Sequence, residues 1–456
     1  MIDPVSAGQP GGSRETGADA SAPPSDFEWL TGFECSTFPQ QGMDQLELTQ
    51  HDRFWASDLL LARDSAACRT IRYGIRWHIV NPMPGVFDWS SLDGPMELIR
   101  ELRMEPIVDL FHFGTPTWLE RGVLNQAFPD AQAELSRAFV RRYPWVRWYT
   151  PTNEPYILSQ YGGESGGWYP HGSGPADFAQ TIEHVGRGMV ESWREIVAVR
   201  PDARCMTSDT GEFWHAADEG VRAQAERMNH RRFLMHELVA GRIGPQHPLE
   251  AWLGEIGMSG GSLRWFREHA IPLDVIGLDH YPHSEHRLRT GEAGELIDET
   301  MPLELQHGPG ELARQYFERL GRPMIFAETG APGSDEVKIA WLDRLVEQVR
   351  TVRAEGVPVI GITWWGLLDQ VDWGNGLRRF RYDIDPTGLY RLEWQDGHGT
   401  PVDVATLEPH LRGAAHRLAR VPTGALAAWR TYALASSATT VGALAPSAAT
   451  AGLSMW

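Results

Sequence analysis

WYTPTNEP, residues 148–155, sets aromatic residues and threonines directly before an Asn-Glu-Pro stop. Such a run favours an extended strand, here drawn as Trp145–Asn153, which delivers Asn153 and Glu154 at its C-terminal end. Working outward, further short apolar runs recur at Leu30–Cys35, Thr70–Trp77, Glu105–Phe113, Ala203–Asp209, Asp274–Asp279, Pro323–Glu328 and Val357–Trp364. Helical stretches separate them, among them 53–67, 91–103, 131–142, 176–199 and 335–354. In the last, Leu342, Leu345, Val346, Val349 and Val352 recur at helical spacing. Strands alternating with helices mark an α/β chain with a parallel sheet. Eight such pairs close into a (β/α)8 TIM barrel, expected as a single domain with elaborated loops on its C-terminal face.

Bulk properties bound the function. The chain has 456 residues, 42% of them apolar, enough for a substantial core. A formal charge of −19, spread along the sequence, argues against nucleic acid or an anionic membrane as the main partner. Cys35, Cys68 and Cys205 are far apart and form no CxxC pair, so neither a disulfide framework nor a thiolate metal site is expected. No apolar run approaches bilayer length. Residues 1–26 are Gly/Ser/Pro-rich and lack the features of a signal peptide, which makes a cytoplasmic location the expectation. They and the Ala/Ser/Thr-rich tail, 432–456, read as disordered flanks of a domain over 27–431.

The strand ends carry the chemistry. Arg72 and Trp77 fall in the second strand, His112 at the end of the third, Asn153 and Glu154 at the fourth, Asp279 and Tyr281 at the sixth. Glu328 ends the seventh and Trp364-Trp365 the eighth. In this fold active sites are built on that face. Cleaving a glycosidic bond takes one carboxylic acid to protonate the leaving oxygen and a second carboxylate on the opposite side. Glu154 and Glu328, across the barrel mouth from each other, are the candidates for that pair. Tyr149 and Tyr156 flank Glu154 and would desolvate it, which suits an acid. Arg72 and Tyr281 are placed to hold Glu328 ionised, and Asn153 to bond a sugar 2-OH. Read in isolation, Arg72 could equally be a structural ion pair and His112, between Phe111 and Phe113, a core histidine.

With these residues in place, the chain resembles the family 1 glycoside hydrolases, β-glucosidase-like enzymes with catalytic glutamates on barrel strands 4 and 7. The resemblance covers roughly residues 27–400 and rests on IRYGIRW, EPIVDLFHFGTPTWL, WYTPTNEP, DVIGLDHYP, PMIFAETG and WWGLLDQVDW, in that order. It implies Glu154 as acid/base and Glu328 as nucleophile, supported by Arg72, Asn153 and Tyr281. It further implies sugar contacts from His112, Trp365, Asp372 and Trp373. The implied activity is hydrolysis of a terminal β-linked sugar with retention, exo-acting, with no cofactor and no metal; the partner is a carbohydrate or glycoside. Transglycosylation on the same machinery, or an inactive sugar-binding barrel, are the alternatives. The chain departs from the family at Asp279-His280, where Asn-Tyr is usual, at Thr329, where Asn is usual, and at Asp372, where a longer Glu is usual. The family's N-terminal Gln has only Gln40 and Gln41 as candidates.

Trp168, in the Gly- and aromatic-rich segment QYGGESGGWYPHGSGP, either stacks on an aglycone or pins its loop. His280, His283 and His286 recur at three-residue intervals, but further metal ligands are not evident at other strand ends. The segment 283–305 is polar and reads as a solvated rim or lid.

Overall fold

Along Met324–Thr329 alternate residues take opposite faces. Ile325 and Ala327 join Leu30, Ile107, Met206 and Val275 in a small inner cluster, while Met324 and Phe326 pack outward into the main core. Residues from five strands meeting in that inner cluster require a closed sheet, and the computed structural model has one. It describes residues 27–394 and 418–436, so the expected disordered flank 1–26 and most of the expected tail, 437–456, lie outside the described residues.

The barrel strands are β1 (Glu28–Gly32), β2 (Thr70–Gly74), β3 (Glu105–Asp109), β4 (Trp148–Thr150), β5 (Arg204–Thr210), β6 (Val275–Asp279), β7 (Met324–Thr329) and β8 (Val359–Trp364). All are parallel and neighbours in chain order, and β1 closes the ring by pairing Leu30 with Thr70 of β2 and with Thr363 of β8. The helices packed outside include α1 (His51–Leu60), α2 (Ser90–Glu101), α3 (Phe128–Arg142), α4 (Gly174–Val199), α5 (Gly260–Glu268), α6 (Gly308–Leu320), α7 (Asp335–Ala354) and α8 (Gly424–Ser436). The α/β barrel expected from the alternation is therefore the observed fold. No helix among the described residues is long and apolar enough to cross a membrane.

Four differences bear on the site. Strands β1, β2 and β3 stop earlier than their apolar runs, so Glu34 and His112 stand on loops above the rim. Trp77 is not in β2; it opens a short helix, Trp77–Val80, and its indole bonds Asn81. The polar segment 283–305 holds a hairpin, Glu285–Thr290 with Leu296–Thr300, paired through its first strand with Phe213–Ala216. The tail expected to be disordered from residue 432 begins inside α8. There Trp429 meets Trp29 edge-on at 4.7 Å and Tyr432 stacks on the same indole at 5.9 Å, so aromatic burial holds the helix beyond the compositional boundary.

Candidate active site

Arg72 is the hub. It projects from β2 with no exposed surface, and one terminal nitrogen donates to the Ala327 carbonyl and to Glu328 Oε1, both at 2.8 Å. The other donates to Asp109 Oδ2 at 2.6 Å and Asn153 Oδ1 at 2.9 Å. Burial works against its charge, but Asp109 and Glu328, then Asp279, outweigh that and keep it cationic. Asp109 went unremarked in the sequence, where it interrupts an apolar run; here burial opposes its ionisation, and Arg72 together with His112 and Thr150 more than restores it.

Because Arg72 takes the Asn153 carbonyl oxygen, the amide nitrogen faces the other way, 3.1 Å from His112 Nε2. That contact makes Nε2 the acceptor, so the network assigns the ring proton to Nδ1. Nδ1 lies 3.2 Å from Cys35 Sγ and 3.6 Å from Asp109. His112 is thus tied to the wall of the site and orients Asn153. Its ring also stacks on Trp365 at 5.8 Å, and the Arg72 guanidinium lies 4.9 Å from the same indole.

Near the end of β7 the pairing register shifts after Phe326, which breaks the strict alternation and turns Glu328 into the site. Arg72 holds Oε1, and the Tyr281 hydroxyl donates to Oε2 at 2.9 Å. Glu154 stands just past β4 with φ 42°, a left-handed conformation uncommon outside glycine, and Pro155 begins a helical turn immediately after it. Its own N–H is fixed to the Ser208 carbonyl at 2.8 Å. Burial, and then the charge of Glu328, push the Glu154 carboxyl well above the usual range. Burial and Asp279 also raise Glu328, but Arg72 opposes them, so Glu154 keeps its proton the longer of the two. Carboxylate oxygens of Glu154, Glu328 and Asp279 lie within 4.8 Å of one another.

Seven expected residues therefore converge: Arg72, His112, Asn153, Glu154, Tyr281, Glu328 and Trp365. The other three make their contacts elsewhere. Asp372 turns its carboxylate back to accept the N–H groups of Arg381, Tyr382 and Asp383, so it holds a loop and leaves nothing free for a sugar. Trp168 is buried among Phe38, Phe113 and Tyr161 and donates to the Gly376 carbonyl at 2.8 Å, which makes it a pin for its loop and not a stacking platform. Trp373 is half-buried against Trp168. Gln40 bonds Thr115, and Gln41 faces His171.

Glu34 was missed. One oxygen accepts the Ser36 N–H and the other the Trp365 indole N–H, both at 2.8 Å. Gly32, two residues earlier at the end of β1, lets the Trp365 ring approach, since a Cβ there would sit 2.3 Å from the indole. The departure at Thr329 is absorbed structurally: its hydroxyl donates to the His280 carbonyl and accepts from the Trp341 indole.

The evenly spaced histidines do not converge. His280 bonds the Gly211 carbonyl and His286 pairs with Asp298. Groups whose ligand atoms are close enough for a metal, among the described residues, are the three carboxyls above, Cys35-Asp109-His112, and His215-Glu285-His307. In the last, Glu285 caps the start of α6 through the N–H groups of His307 and Gly308, an electropositive position that disfavours a cation.

No family model matches the chain. Among solved structures, a β-glucosidase from Thermotoga maritima in complex with azafagomine superposes with TM-score 0.73 at 16% identity, covering 91% of this chain and 98% of that one. A family 1 β-glucosidase from the same organism, in complex with isofagomine lactam, gives 0.73 at 17% identity over 91% and 98%. The fold is that of the family 1 β-glucosidases. Among curated sequences, 1,4-beta-D-glucan glucohydrolase of Thermotoga neapolitana is 22% identical over 358 residues, 72% of this chain and 83% of that protein. Mouse Klotho is 22% identical over 333 residues, and the match spans only 30% of its length.

Proposed function

We propose that this protein is a retaining, exo-acting β-glycosidase that cleaves a terminal β-linked sugar by double displacement. The observation that carries the reading is that the Glu154 and Glu328 carboxyls face each other with one oxygen of each within 4.8 Å, a contact that fits the shorter of the two carboxyl spacings glycosidases use. Retaining enzymes hold their two carboxyls about 5–5.5 Å apart, whereas inverting ones leave about 6.5–9.5 Å for a water. The similarity to β-glucosidases and to a glucan glucohydrolase supports the same substrate class.

In the first step Glu154 donates its proton to the glycosidic oxygen as the bond from the anomeric carbon to that oxygen breaks. A Glu328 oxygen forms the new bond to the anomeric carbon, giving a glycosyl ester. With Glu328 neutralised as an ester, Glu154 is left ionised and takes a proton from water. That water attacks the same carbon and releases Glu328 as a carboxylate. Arg72 and Tyr281 aim Glu328 and stabilise its charge when it leaves. Asn153, held by Arg72 and His112, keeps a second amide hydrogen for the sugar 2-OH. Trp365 and Glu34 offer the neighbouring wall to the glycone. Trp168 and Asp372 act at a distance, by setting the loops.

A panel of nitrophenyl β-glycosides, with the product anomer followed by NMR, tests this. The expected result is release with the β anomer formed first, and near-complete loss in a folded Glu328→Ala variant. An α anomer formed first, or a Glu328→Ala protein at wild-type rate, refutes the assignment. Saccharide binding without turnover across the panel would point instead to a sugar-binding barrel.

A further inference from the structure

Asp279 occupies a place in this site that the two-glutamate chemistry does not use. It ends β6 with no exposed surface, and among the described residues both of its oxygens depend on one hydrogen-bond donor, the Ser208 hydroxyl, at 2.9 and 2.7 Å. The groups facing it are Asp209 from β5, Asp109 from β3, Glu154 beyond β4, Glu328 on β7, Tyr281 on the following loop, and Arg72 on β2. Arg72 is the one cation among them, and its terminal nitrogens donate to Ala327, Glu328, Asp109 and Asn153 and not to Asp279. Carboxyls as close as Asp279, Glu154 and Glu328 cannot all ionise in a site withdrawn from water. One proton belongs to Glu154 for its role as acid; of the two remaining carboxyls, Glu328 has the Arg72 guanidinium and the Tyr281 hydroxyl to support its charge, whereas Asp279 has a neutral hydroxyl, so a second proton falls to Asp279.

We propose that Asp279 is a positioning residue that carries a proton in the active enzyme, serving as a neutral O–H donor beside the glutamate pair, and that its ionisation switches the reaction off at alkaline pH. Burial, only partly relieved by Arg72 and Ser208, pushes its pKa up to about 8. The proton is therefore held below that pH and lost above it. Once lost, the new charge repels the Glu328 carboxylate and takes away the donor. A neutral Asp279 does the work of an amide, so Asp279→Asn is the variant that keeps the donor and removes the titration. The proposal rests on the glycosidase reading, and its test has one arm that needs no turnover.

In that arm, infrared difference spectra between about pH 6 and pH 10 follow the C=O band of protonated carboxyls. A band that titrates in the wild type and is missing in D279N supports the proposal even if no glycoside is cleaved, while identical spectra overturn it. In the kinetic arm, kcat/KM is measured against pH for both proteins. The ratio of the rate at pH 9 to that at pH 6 is expected to rise about tenfold in D279N, one pH unit past the titration being a tenfold change in protonation. Superimposable profiles overturn the proposal, as does a folded D279N protein without activity. A wild-type profile that a chelator alters would place a cation, not a proton, among the three carboxyls and would also overturn it.

Discussion

Replacing Tyr281 by Phe removes one hydroxyl from the site and little else. The ring is half-buried and stacked on His283 at 5.4 Å, so the phenyl group keeps its packing. What disappears is the O–H bond to Glu328 Oε2 at 2.9 Å. A hydrogen bond to a charged group contributes about 1.5–3 kcal/mol. It favours the ionised form, so its loss raises the pKa of Glu328 by about 1–2 units at 1.36 kcal/mol per unit. The sign follows: attack requires Glu328 as the carboxylate, so the acid limb of kcat/KM must move to higher pH by that amount. Arg72 still holds Oε1, which keeps the carboxylate aimed and the variant active on the alkaline side of the shifted limb. The assay is nitrophenol release from the best aryl β-glycoside, followed over the pH range at low substrate. An acid limb that stays in place, in a folded variant, would mean that Tyr281 does not bond the group whose ionisation governs the reaction.

Other substitutions separate chemistry from structure. Arg72→Met leaves Asp109 and Glu328 buried without their cation, and breaking a buried pair costs about 3–5 kcal/mol; denaturant unfolding should show that loss together with absent turnover, and a loss below about 1 kcal/mol would remove Arg72 from the centre of the network. Glu154→Ala should slow aryl glycosides with poor leaving groups by about 10²–10⁴; with an activated leaving group, where breakdown of the glycosyl-enzyme limits, added azide should restore turnover as a β-glycosyl azide, and an α-azide would contradict retention. Trp168→Ala should cost about 3–5 kcal/mol of stability, as for a buried aromatic. A raised KM with unchanged stability would return Trp168 to the substrate.

Much of the barrel was legible because its signals are local. Each strand needs only its own apolar run and each helix its own periodicity, and all eight expected strands are found, with ends displaced by a few residues. Those displacements mattered: an apolar run continues past β1 and β3 because Phe33, Cys35, Phe111 and Phe113 are buried above the rim, not because the strand does. The residues around Glu154 and Glu328 were readable for the same reason, standing within short stretches at predictable strand ends.

Contacts between distant stretches were not readable. Glu34 became part of the site only by meeting Trp365, 331 residues away, across the closing strands of the barrel. Asp372 has the right position in its motif, yet the backbone N–H groups at 381–383 take its carboxylate once the loop folds over it. Trp168 offered two readings that composition could not separate, and the surrounding aromatics chose packing. By itself, then, the sequence determined the eightfold strand–helix alternation and the two glutamates at the ends of the fourth and seventh strands, since both follow from periodicity and short-range spacing. Tertiary structure alone decided the distance between those glutamates, the partners of Arg72 and the crowding of Asp279. A side chain's charge and reach are set by what the closed barrel brings against it.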